Sequence, residues 1–161
     1  MEKFQESLIK AKKNLHVADH MVFITYNVVK DPKLLFSALK NIQNSMISTT
    51  DALLQFERLF KQIPAIPQTF SAKLLMLKSL SSKRHNLSQN YIFLMNELHE
   101  VIQEHEKSPV EFARKDKFVI CSRNYRLKTI TISKIKEYLA INKSYLQEVK
   151  EIIQKKDGIF S

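Results

Sequence analysis

Residues 108–131, SPVEFARKDKFVICSRNYRLKTIT, are the one stretch of this chain without a helical period, and the reading of the fold turns on them. The runs 117–121 and 126–131 are rich in β-branched and aromatic residues and flank Ser122-Arg123-Asn124-Tyr125, where Asn124 tolerates a left-handed turn. They predict a short β-hairpin, introduced by Pro109 and occupying about 110–131. The same stretch holds six basic residues, Arg114, Lys115, Lys117, Arg123, Arg126 and Lys128, against two acidic ones, Glu111 and Asp116.

Outward from this segment everything reads as helix. Glycine occurs once, at Gly158, and proline at Pro32, Pro64, Pro67 and Pro109, so few breakers interrupt the chain and those mark element ends. Phe4, Leu8, Ala11, Leu15, Ala18, Val22 and Val29 recur at helical spacing, with Met21 and Val28 widening the stripe. The run 21–26, MVFITY, is apolar on nearly every side and is expected at the centre of the molecule. Asp31-Pro32 supplies a cap followed by a proline at the first helical position, so a second helix starts almost without a loop and runs to about Gln62. Its apolar side is Leu35, Leu39, Ile42, Met46, Leu53, Phe56 and Phe60. A third helix starts near Thr69, and Ser88 is placed to cap a fourth that ends near Lys107; whether these two are separate or one kinked rod is open from spacing alone. A last helix starts near Ile132 and is expected to stop at Lys155-Lys156-Asp157-Gly158. The fold predicted is mainly α, a four- or five-helix up-and-down bundle in one domain over 1–161, with the β-hairpin inserted before the last helix.

Composition bounds the function. The chain has 161 residues, 44% of them hydrophobic, enough to build a core without a disulfide or metal staple. The 26 Lys and Arg against 16 Asp and Glu create a positive field that favours a polyanion as partner, such as nucleic acid, anionic lipid or an acidic protein. The longest apolar run, 21–29, is too short to span a bilayer. Glu2 and Glu6 stand where a secretory leader is basic, which points to the cytoplasm, as does the lone cysteine, Cys121, in an apolar run. With one glycine, glycine-rich phosphate loops are excluded.

Three constellations outside the hairpin bear chemistry. His16, Asp19 and His20 share a helix face at a spacing that suits zinc or iron, although one or two further ligands must come from elsewhere and a solvated histidine pair explains the pattern as well. Glu97, Glu100, Glu104 and Glu106 make an acidic helix end before the basic segment, which lacks the pocket that acid–base catalysis needs. Lys73, Lys78, Lys83, Arg84 and His85 form a second basic region, readable as a phosphate-binding or a solvated face. Beyond that low-ranked metal candidate, no cofactor is expected.

The opening residues 8–21, LIKAKKNLHVADHM, resemble the first helix of HEPN-domain proteins, in which a leucine, an alanine and a second leucine lead into another alanine. The resemblance covers about the first third of the chain. It implies a four- to five-helix bundle, often dimeric, of a kind found in RNA-cleaving toxins, RNA-processing factors and noncatalytic nucleotide- or RNA-binding partners. Catalytic members carry an arginine followed after about four to six residues by a histidine. None of Arg58, Arg84, Arg114, Arg123 or Arg126 has a histidine at that distance, so the resemblance implies a noncatalytic member.

The function expected is therefore that of a noncatalytic basic binding module, with RNA the favoured partner. Arg114, Lys115, Lys117, Arg123, Arg126 and Lys128 would contact phosphates, and Tyr125 would stack on an unpaired base. The alternative is a protein-interaction bundle or homodimer without affinity for nucleic acid. A metal-dependent enzyme using His16, Asp19 and His20 ranks behind both.

Overall fold

The computed structural model describes the backbone of residues 1–107, 111–114, 117–121 and 127–160, and the side chains of 1–105 and 129–156. The protein is mainly helical. Helix α1 (Lys3–His20) continues through a wide π turn (Met21–Thr25) into α2 (Tyr26–Val29). The long α3 (Lys33–Leu59) follows, then α4 (Phe70–Met76), a second π turn (Leu77–Ser81), α5 (Ser82–His85) and α6 (Gln89–Lys107). Three strands, β1 (Glu111–Arg114), β2 (Lys117–Cys121) and β3 (Leu127–Thr131), precede the last helix, α7 (Ile132–Phe160).

The helix ends show how a chain with one glycine makes its turns. Lys30, Lys61 and Asn86 take the left-handed conformation, with φ of 57°, 54° and 54°. After Lys61 the Gln62 N–H donates to Glu57 O, and after Asn86 the Leu87 N–H donates to Ser82 O, so each closes its helix with a bond back across five residues. At the starts, Asp31 Oδ1 accepts from the Lys33 N–H, Thr69 Oγ1 from the Ala72 N–H, and Thr131 Oγ1 from the Lys134 N–H. The break at Asn86 separates α5 from α6, which spacing leaves open. Helix α7 runs past Gly158 to Phe160, beyond its expected stop. A lone glycine costs a helix only about 1 kcal/mol, and Gly158 does not adopt a positive φ.

Helix α3 lies at the middle of the packing and contacts α1, α6 and α7; α7 also touches α1 and α6. Leu35, Leu39, Ile42, Met46, Leu53 and Phe56 are buried on it, each burial worth about 1.5–3 kcal/mol. One continuous apolar core gathers them with Phe4, Ala18, Val22 and Tyr26 from the first helical run, Leu94, Met95 and Leu98 from α6, Ile130 from β3, and Ile135, Leu139 and Val149 from α7. Small residues let α1 come close: Ala11 is fully buried, and its carbonyl accepts a hydrogen bond from Ser45 Oγ on α3 at 2.8 Å.

The run 21–26 is not central. Val22 and Tyr26 are buried, but Phe23 and Ile24 are exposed, as are Val28 and Val29 beyond them, Val28 to 81%. The wide turn Met21–Thr25 changes the phase of the stripe, so the buried face passes through Val22 to Tyr26 and leaves the later valines outside. Phe60, expected on the apolar side of α3, is likewise part-exposed because it follows the last helical residue.

The strands form an antiparallel sheet in the order β1-β2-β3. Arg114 pairs with Lys117 and Lys117 with Thr131; Phe118 pairs with Ile130, and Ile120 with Lys128. Strand β1 is an addition to the two-stranded reading, since residues 111–114, EFAR, lack the β-branched signal. The sheet is anchored through Ile130, which is buried in the helical core, and β2 touches α6 while β3 touches α7.

Candidate nucleic-acid interface

Of the residues expected to meet nucleic acid, Arg114 and Lys117 are directly paired between β1 and β2, and Lys128 pairs with Ile120 between β2 and β3. Because strand residues alternate between faces, the Arg114–Lys117 pair shares one face with Thr129 and Thr131, while Lys128 shares the other with the buried Ile130. The three basic positions are thus split between two faces of the sheet. Lys115, Arg123, Tyr125 and Arg126 lie outside the described residues.

Strand β3 passes into α7 without a loop, and α7 carries the positive surface onward. Lys136 and Lys143 are seven residues apart, two helical turns, and therefore on one face. Both ammonium groups lie over the ring of Phe23, at 5.2 Å for Lys136 and 5.8 Å for Lys143. The ring, brought out by the π turn, is 40% exposed. Sequence reasoning missed this group, because MVFITY reads as core and the lysines lie more than a hundred residues further along. An exposed cation–π contact is worth about 0.5–1 kcal/mol, whereas a base stacked on an aromatic side chain is worth about 1–3 kcal/mol. An unpaired base can therefore take the place of a lysine on Phe23 and leave that lysine to a phosphate.

Lys143 also reaches the other way, to Asp19 Oδ1 on α1 at 2.7 Å. Beyond this ion pair an open groove of about 620 Å³ is bounded by Ile9, Lys12, Lys13, Leu15, His16, Asp19 and Lys143. Its lysines are exposed, Ile9 and Leu15 are its apolar residues, and Asp19 is the single acid among the residues that bound it.

The metal reading of His16, Asp19 and His20 meets other partners. Asp19 is paired with Lys143, and His20 Nδ1 is 3.2 Å from Thr25 Oγ1. Among the described residues no group of three or more His, Cys, Asp and Glu side chains is placed to hold a metal ion.

The second basic region is divided: Lys78 and Lys83 are exposed, whereas Lys73, Arg84 and His85 meet acids of α3. Glu57, on α3, is 0% exposed, and its carboxylate accepts from Ser81 Oγ at 2.5 Å and His85 Nε2 at 2.6 Å, with Arg84 Nη1 at 3.3 Å. Burial alone pushes this carboxyl up, but the bonds from His85 and Ser81 and the charges of Arg84 and His85 outweigh it and hold Glu57 below its ordinary value. Ser81 and His85 both address the carboxylate rather than each other, so the trio lacks the nucleophile–base bond of a hydrolytic triad. Arg84 also donates to Gln62 O, and Arg58 to Ile63 O, which ties the segment after α3 to this cluster. Lys73 pairs with Asp51 at 2.9 Å. Lys73, Arg84 and His85 thus each face an acid of α3.

On α6, Glu97 of the acidic helix end accepts from Tyr138 Oη at 3.1 Å, and burial followed by the Glu97 charge raises the Tyr138 phenol. A polar seam crosses the core nearby. Thr50 Oγ1 and Tyr145 Oη are 2.6 Å apart, Tyr91 stacks on Tyr145 and meets Ser144, and Ser45 Oγ lies 3.1 Å from the side-chain amide of Asn142. Burial also raises the Tyr145 phenol.

No family model, curated protein or solved structure matches this chain. Among the described residues no helix is long and apolar enough to cross a membrane.

Proposed function

We propose that this chain is a noncatalytic nucleic-acid-binding module, with RNA the favoured ligand, built as an up-and-down helical bundle whose β insertion and the start of α7 form the contact surface. One observation carries the reading: an exposed aromatic ring, Phe23, sits under two lysines of α7, the helix that follows directly on the strands carrying Arg114, Lys117 and Lys128. Charge for phosphates and a face for bases together are what nucleic-acid binding without sequence readout requires. Within the HEPN resemblance, the noncatalytic reading rests on the missing arginine–histidine spacing.

The test is a filter-binding titration of mixed RNA against salt. Charge reversal at Arg123 and Arg126 is expected to weaken binding and flatten the dependence of log K on log salt. Unchanged affinity and slope refute the role of the β insertion.

A second reading, a protein-interaction surface, is favoured by the exposed apolar run Ile24, Val28 and Val29. Sedimentation separates the two. A salt-insensitive dimer with no affinity for RNA supports interaction, and a monomer that carries RNA supports nucleic-acid binding.

A further inference from the structure

We infer that the nucleic acid is held single-stranded, along a track that starts at the Phe23 ring, crosses Lys143 and enters the groove between α1 and α7 lined by Lys12, Lys13 and His16. The inference rests on the proposed function and adds to it the ligand form and a site on the helical face, separate from the β insertion. Lys143 is the joint of the track, because its ammonium lies 5.8 Å from the Phe23 ring and 2.7 Å from Asp19 at the mouth of the groove. Along α1 and the π turn, Lys12 and Phe23 are eleven residues apart, about 16 Å of helix, which a few extended nucleotides cover. The lysines, with the exposed Ile9 and with Leu15 beside them, offer phosphate neutralisation next to apolar contact for unpaired bases. A duplex keeps its base faces stacked inside the helix and cannot use the ring.

Asp19 gives the track an internal control. As the single acid lining the groove it opposes a phosphate and holds Lys143 away from one. Its removal is expected to strengthen binding, an outcome that loss of structure cannot produce.

The experiment measures fluorescence anisotropy of labelled twelve-residue oligouridylate and of a twelve-base-pair RNA duplex, with the full chain and the variants Phe23→Ala, Lys12→Glu with Lys13→Glu, and Asp19→Asn. Circular dichroism of each variant verifies folding. Expected results are tighter binding of the single strand than of the duplex and a loss of about 5- to 150-fold for Phe23→Ala on the single strand alone. The double lysine variant should flatten the salt slope by about 0.7 per lost phosphate contact, and Asp19→Asn should tighten binding severalfold. Equal affinity for both ligands, or variants that bind as the parent does, overturn the track. If those variants are silent while reversal at Arg123 and Arg126 weakens binding, nucleic-acid binding through the β insertion stands, and the track and the Phe23 contact both fail. If the parent chain binds neither ligand, both fail.

Discussion

Replacing Glu57 by glutamine keeps its size and removes its charge from a site where three donors converge. Ser81, His85 and Arg84 all address the carboxylate, and its side chain is only 1% exposed, so solvent cannot take over their role. A hydrogen bond to a charged group is worth about 1.5–3 kcal/mol net, and breaking a buried ion pair costs about 3–5 kcal/mol. The amide retains one acceptor but turns an N–H₂ toward a donor. Arg84 and His85, with side chains 35% and 16% exposed, recover part of their hydration. A loss of about 2–4 kcal/mol at pH 7 follows, a large fraction of the roughly 5–15 kcal/mol that holds a typical domain together. The sign of the pH dependence is determined by the lowered carboxyl. Its stabilisation is complete above the ordinary value of 4.5 and is lost as pH falls through the lower folded value, so the deficit of Glu57→Gln must shrink below about pH 4.5. Urea unfolding followed by circular dichroism between pH 7 and pH 3.5 measures both quantities. A deficit under about 0.5 kcal/mol at pH 7, or one that stays constant with pH, refutes the assignment of Glu57 as a charged acceptor that binds α3 to α5.

Tyr145→Phe removes the partner of Thr50 from the polar seam and is expected to cost about 1–2 kcal/mol in the same unfolding assay, with the helical spectrum unchanged. The phenols of Tyr91, Tyr138 and Tyr145 are all raised, so absorbance at 295 nm during alkaline titration should show these three tyrosines ionising only above pH 10 and together with unfolding. Reversible ionisation of these three near pH 10 contradicts their burial. Leu53→Ala, at a fully buried position of α3, should lower stability by about 2–5 kcal/mol, whereas Ile24→Ala, on the exposed run, should change it by less than about 1 kcal/mol.

The α-helical class was legible because local rules specify it: apolar residues at helical spacing, Asp31, Thr69 and Ser88 at helix starts, and almost no glycine or proline between them. The buried side of α3 followed from the same period, and Leu35, Leu39, Ile42, Met46, Leu53 and Phe56 are all in the core. The period failed at 21–29, since a π turn alters the phase of a stripe and no residue type announces one. Strand β1 was invisible for a related reason: EFAR has no strand pattern, and its pairing partner is β2.

Local spacing and residue type thus reach as far as helices, caps and net charge, because each depends on neighbours within a few residues. Which charges are free depends on what other helices bring up. Arg84 and His85 look like surface cations until Glu57 arrives from α3, and Phe23 looks like core until the π turn swings it out beneath Lys136 and Lys143. Burial and ion pairing are properties of distances between residues remote in the chain, and those distances exist only once the helices have packed.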